Sequence, residues 1–112
     1  MSEDLTFSIM IDSDLGEEEL MSIILKNLAS SKQVGGYIKY EGNILKFEKN
    51  SLHDRMKALE RNEKSWMYYK YSLSVFPDSN VILDGQRAIA FRIMRVLDEA
   101  GTNPELVSEF EL

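Results

Sequence analysis

The sequence predicts an α+β domain: a mainly antiparallel sheet of about five strands with two helices packed on one face. Three observations carry this. Apolar residues alternate with polar ones in several short runs, two longer stretches repeat apolar residues at helical spacing, and the helical stretches are separated by runs of strands rather than alternating strictly with them. The order is β-α-β-β-(α)-β-α-β, and since the first and last strands each adjoin a helix, a ferredoxin-like variant is the expected topology.

The first strand is set by Leu5, Phe7, Ile9 and Ile11 alternating with Thr6, Ser8, Met10 and Asp12. It runs into DSDLGEEE, where Asp14 and Glu17 have capping-box spacing and Glu17, Glu18 and Glu19 suit the positive end of a helix dipole. Met21, Ile24, Leu25 and Leu28 then predict an amphipathic helix over residues 15–29.

Two alternating runs flank Gly42-Asn43, a pair that tolerates positive φ and predicts a tight hairpin. With those two as loop residues, Tyr40 opposes Leu45 and Ile38 opposes Phe47, which places all four on one face. Leu52, Met56 and Leu59 have helical spacing within residues 50–64, a segment that reads equally as a short helix or a partly ordered loop.

The run WMYYKYSLSVF, residues 66–76, predicts one long strand with Met67, Tyr69, Tyr71, Leu73 and Val75 on a core face and Trp66, Tyr68 and Phe76 on the other. After the Pro77-Asp78-Ser79-Asn80 turn, Ile89, Ile93, Val96, Leu97 and Ala100 form the stripe of a long helix that stops at Gly101. Beyond Pro104, alternation of Leu106, Ser108, Phe110 and Leu112 with Val107, Glu109 and Glu111 predicts a last strand.

With 112 residues, 44% of them hydrophobic, the chain is expected to fold as one domain over residues 1–112. It has no cysteine, so disulfides, thiolate metal sites and thiol nucleophiles are excluded. No apolar run approaches the roughly 18 residues a membrane helix needs, and MSEDLTFSIMID lacks a basic leader, so a cytoplasmic protein without a membrane partner is expected. The net charge of −6 opposes binding through phosphate neutralisation, so no nucleic acid partner is expected either. The charge is uneven: residues 1–31 carry −6, residues 32–76 carry +4 and residues 77–112 carry −4.

Catalytic patterns are sparse. His53, the sole histidine, has Asp54 and Glu60 as candidate orienters and Ser51 as a candidate nucleophile, but no strained elbow or glycine-rich oxyanion loop accompanies them. Asp12 and Asp14 lie at a strand-to-helix corner where a divalent cation can be held, yet neither an EF-hand loop nor a phosphate-binding glycine loop is present. The expectation is therefore no enzyme, no cofactor and no metal. The aromatic run suggests a base-stacking sheet, but it lacks the glycine and basic spacing of an RNA-binding motif. Trp66 and Tyr68 fit a protein-binding face, or a face covered by residues 50–64.

The acidic composition, the YYKYSLSVFPDS strand ahead of a long helix, and the ending EAGTNPELVSEFEL together resemble the small cytoplasmic immunity proteins of bacterial contact-dependent growth inhibition and related polymorphic toxin systems. That resemblance implies a non-catalytic inhibitor that binds a cognate toxin domain, often a nuclease, and blocks its active site or substrate groove. A nuclease presents positive charge, so the candidate contacts are Asp12, Asp14, Glu17, Glu18, Glu19, Glu105, Glu109 and Glu111, with the aromatics Trp66 and Tyr68. The alternative is a small-molecule-binding regulatory domain of ferredoxin-like type, which would also make a homodimer through its sheet an option.

Overall fold

The structure is a computed structural model that describes residues 4–110. Six strands form one sheet: β1 (Phe7–Asp12), β2 (Lys32–Val34), β3 (Tyr37–Tyr40), β4 (Asn43–Lys49), β5 (Tyr71–Pro77) and β6 (Asn103–Ser108). Three helices, α1 (Glu17–Asn27), α2 (Arg55–Leu59) and α3 (Leu83–Glu99), and a 3-10 turn at Ser65–Tyr68 complete the chain. The strand order is β2-β3-β4-β5-β1-β6, and all neighbouring strands run antiparallel.

The α+β class and the antiparallel sheet agree with the sequence reading. Among the described residues there are six strands where about five were expected, and α2 is the short-helix alternative for residues 50–64, a third helix beside the expected two. The added strand, β2, is three residues long with one apolar side chain, so it carries no alternation to read. It pairs with β3 across the Gly35-Gly36 turn. The first helix starts at Glu17, not residue 15: the Gly16 N–H donates to Glu19 Oε1 at 3.5 Å, while Ser13 Oγ accepts from the Leu15 N–H at 3.0 Å. Asp14 therefore does not cap the helix.

One sheet face carries the main core. Phe7, Ile9 and Ile11 of β1, Ile38 and Tyr40 of β3, Leu45 and Phe47 of β4, and Tyr71, Leu73 and Val75 of β5 meet Leu20, Ile24 and Leu28 at α1 and Ile89, Ala90, Ile93 and Leu97 of α3. Both long helices thus lie on one face, as their stripes require. The predicted stripe of α3 shifts slightly: Val96 and Ala100 are only half-buried, and Ala90 and Gln86 take buried places instead.

The β3–β4 hairpin departs from the expected register. Its loop residues are Glu41 and Gly42, both with positive φ (49° and 78°), and Tyr40 pairs with Asn43 and Ile38 with Leu45. These dihedral signs belong to the tight turn whose twist suits a two-residue hairpin. The pairing differs from the expected one by two residues, so Ile38, Tyr40, Leu45 and Phe47 still share the core face. What selects this register is polar. Asn43, 1% exposed, faces inward and exchanges two hydrogen bonds with Gln86, 0% exposed: Asn43 Nδ2 donates to Gln86 Oε1 at 2.8 Å, and Gln86 Nε2 donates to Asn43 Oδ1 at 2.9 Å. Gln86 Nε2 also donates to the Leu5 carbonyl at 3.0 Å. A loop at Gly42-Asn43 would remove Asn43 from that position.

The aromatic run is not one strand. Residues 65–68 form the 3-10 turn, and β5 begins only at Tyr71. Tyr71, Leu73 and Val75 face the main core as expected, but Tyr69 packs on the opposite sheet face with Met10 and Ala58, and Met67 is half-buried in the turn. The break comes from Asn50, whose Nδ2 donates to the carbonyls of both Met67 and Tyr69 at 2.8 Å, taking acceptors that a sheet ladder would have used. The last strand ends at Ser108, so Glu109 and Phe110 lie beyond it; Phe110 packs edge-on against Phe7 with ring centroids 5.8 Å apart.

Gln86→Leu should leave Asn43 Oδ1 and the Leu5 carbonyl without their Gln86 donor, while Asn43 Nδ2 keeps only the Glu41 carbonyl at 3.2 Å. The expected cost is about 2–3 kcal/mol, seen as a lower urea midpoint at unchanged m-value. A midpoint equal to wild type would show that the amide pair does not hold the hairpin to α3.

Candidate functional site

The second sheet face is covered at one end only, and the cover is built from polar chain geometry. Asp54 Oδ1 accepts from the backbone N–H groups of Met56 and Lys57 at 3.0 and 3.1 Å, which starts α2. The Asp54 N–H donates to the Tyr68 carbonyl at 3.1 Å, and the Asn50 N–H to the Lys70 carbonyl at 2.9 Å, so α2 and the 3-10 turn are tied to each other and to the start of β5. Beneath them lies a small second core of Met10, Ala58 and Tyr69, with Trp66, Tyr68 and Val107 packed against it.

Trp66 and Tyr68 lie beside this small core. Both are half-buried against the cover rather than displayed on an open sheet, and Lys57 Nζ lies 4.9 Å from the Tyr68 ring centroid. What the cover exposes instead is aliphatic. Its contact with the sheet is made through Ala58, 5% exposed, while Leu52, Met56 and Leu59 stand 56%, 75% and 52% exposed. Met56 and Leu59 are three residues apart on α2 and form a short exposed ridge, whereas Leu52 stands exposed in the turn that precedes the helix.

The acidic residues separate into groups. Asp12 pairs with Asn103 and Met10 with Glu105 across β1 and β6, so Asp12 and Glu105 both lie beside Tyr69 on the second face. Asp14 follows Asp12 in the connection to α1, and Glu17, Glu18 and Glu19 form the first turn of that helix. Glu109 follows Ser108, which pairs with Phe7 at the far end of β1, and so is not part of this cluster. Glu111 lies outside the described residues.

Burial raises the Tyr69 phenol above its ordinary pKa. The hydrogen bond that Asn103 Nδ2 donates to Tyr69 Oη at 3.0 Å opposes this, the carboxylates of Glu105 and Asp12 add to it, and Arg61 opposes it.

A cleft of about 320 Å³ opens where β1 ends, lined by Asp12, Ser13, Asp14, His53, Arg55, Leu59, Lys70 and Gly101. His53 is exposed at its edge, and Asp54, the neighbour expected to orient it, is committed to the α2 cap. No group of three or more histidine or acidic residues able to hold a metal ion occurs among the described residues, and no described helix is long and apolar enough to cross a membrane.

Three hydrogen-bonding side chains escaped the sequence reading. Gln86 occupies a position three residues before Ile89 on the apolar stripe of α3, a signal for a buried polar group that was available. Asn50 and Asn103 bear no comparable pattern, because their partners are set by the sheet.

Since the native state retains the Tyr69 proton above pH 10.0, where the unfolded chain loses it, stability should fall with rising pH from there, and Tyr69→Phe should remove that share of the fall. Urea unfolding of both proteins between about pH 9 and 11 reads this difference. Identical alkaline profiles would mean that Tyr69 titrates as a free phenol. Comparison of the chain with protein-family models, with curated proteins and with solved structures found no match.

Proposed function

We propose that the chain is a non-catalytic, cytoplasmic immunity protein that binds a cognate bacterial toxin domain, a nuclease by its charge requirement, and occludes that domain's active site or substrate groove. The observation that supports this reading is the exposure of Leu52, Met56 and Leu59 on a cover tied down by the hydrogen bonds of Asp54 and Asn50. Large apolar side chains grouped on a preorganised surface are characteristic of protein interfaces, where a few such anchors supply most of the affinity. Beside the ridge, Leu59 and the carboxylates Asp12 and Asp14 line one cleft. Acidic groups at an apolar anchor favour a basic partner and speed its approach.

The strand order supports a ferredoxin-like core as part of the same proposal. In it, β6-β1-β5-β4 is the four-stranded unit crossed by α1 and α3, and β2 and β3 extend its edge. The fold says nothing of activity by itself, so the proposal stands on the surface.

Co-expression with the product of the adjacent upstream gene tests it directly: a toxic neighbour should be neutralised and should co-elute with the chain. Leu52→Asp combined with Met56→Asp should weaken that complex by about a hundredfold or more while leaving the melting temperature unchanged, because both side chains are already exposed. Asp12→Lys should slow association and reduce its dependence on salt. A neighbour without toxicity, or full protection by the double variant, would overturn the proposal.

A further inference from the structure

We propose that the cleft at the end of β1 is a binding site for a small zwitterion of the α-amino-acid class, an activity beyond the inhibitor reading although the cleft shares Asp12, Asp14 and Leu59 with the proposed partner surface. Its lining charges come from four separate places in the chain: Asp12 at the end of β1, Asp14 in the following connection, Arg55 at the start of α2 and Lys70 just before β5. Two carboxylates and two cations therefore face one cleft with a formal charge balance of zero.

These opposite charges do not pair with one another. Elsewhere in the described residues, acids and bases form ion pairs at 2.9–3.7 Å, whereas Asp12, Asp14, Arg55 and Lys70 join none of them. The contrast is sharpest for Lys70. Continuing the β1–β5 register by one residue from Ile11↔Tyr71 sets Lys70 against Asp12, yet its ammonium lies over the Tyr71 ring, 5.2 Å from the centroid. Neither Asp12, Asp14 nor Arg55 uses its side chain in a hydrogen bond to a described residue, so their acceptors and donors remain available across the cleft.

Charge and size then select the ligand class. A simple anion placed there meets Asp12 and Asp14, and a simple cation meets Arg55 and Lys70, so each gains from one wall and loses to the other. A molecule with an ammonium and a carboxylate on the same carbon gains from both: the ammonium faces the two aspartates, and the carboxylate takes the planar fork of Arg55 with Lys70 beside it. At about 320 Å³ the cleft is at the small end of ligand sites, which suits a free amino acid rather than a nucleotide. Leu59 adds an apolar side chain to the lining, and Gly101 contributes backbone without a side chain.

The test uses the isolated chain, so its outcome does not depend on any protein partner. Glycine, serine and alanine are titrated against isotope-labelled protein, with methylamine and acetate as single-charge controls. The expected result is saturable shifts of the amide resonances of Asp12, Ser13, Asp14, Arg55 and Gly101, with a Kd below about 10 mM for at least one amino acid. The controls should bind at least about tenfold more weakly, as should Arg55→Gln and the Asp12→Asn, Asp14→Asn double variant, each with an unchanged circular dichroism spectrum. Absence of saturable shifts overturns the proposal. So does equal binding of acetate or methylamine, which would mark a single-charge site, or full binding by the folded variants.

Discussion

The reciprocal amide pair between Asn43 and Gln86 is the constraint on which the rest of the structure depends. It is buried and fully satisfied, and it joins three parts of the chain: the first residue of β4, the first turns of α3 and the backbone just before β1. A buried amide that loses its partner forfeits its desolvation energy without return, so only one hairpin register and one seating of α3 satisfy both groups. The turn is fastened from outside as well. The Gly42 carbonyl accepts from the Asp78 N–H at 3.0 Å, and a side chain at Gly42 would meet Ser79 Oγ at 2.7 Å.

That seating makes the two sheet faces unequal. With α1 and α3 covering one face, most of the sheet's buried apolar side chains are spent there, and among the described residues Met10, 9% exposed, is the one buried apolar strand residue on the opposite face. A small core needs only a small cover. A five-residue helix packed through an alanine is enough, and its larger side chains have nothing left to bury against. The exposed ridge and the charged cleft beside it are thus consequences of the same division: most of the hydrophobic effect is collected on one side of the sheet, and the other side is left for recognition.

Much of the main core was legible in the sequence. Alternation identified the inward side chains of β1, β3, β4 and most of β5, and helical spacing identified Ile24 and Leu28 at α1 and Ile89, Ile93 and Leu97 of α3 but missed the buried Leu20, Gln86 and Ala90. These periodicities are local properties of extended and helical backbone. The same local logic failed at residues 65–70. Alternation continued there, but Asn50 captured the Met67 and Tyr69 carbonyls and sent Tyr69 to the other face. It failed again at Met56 and Leu59, where helical spacing was real but pointed to solvent, and at Leu52, which stands in a turn before the helix. The candidate site was legible only in pieces: Asp12, Asp14 and Glu17–Glu19 are neighbours in sequence, whereas Glu105 joins them through the β1–β6 register, and Glu109 is carried to the opposite end by that same register.

By itself the sequence determined the α+β class, the apolar faces of the main elements and the acidic character of both termini, since each follows from residue type and spacing along a short stretch. Only the tertiary structure decided the hairpin register, the splitting of the aromatic run, and the meeting of Asp12 and Asp14 with Arg55 and Lys70 across one cleft. Those outcomes depend on partners tens of residues away, and hydrogen-bond satisfaction and strand pairing act through space rather than along the chain.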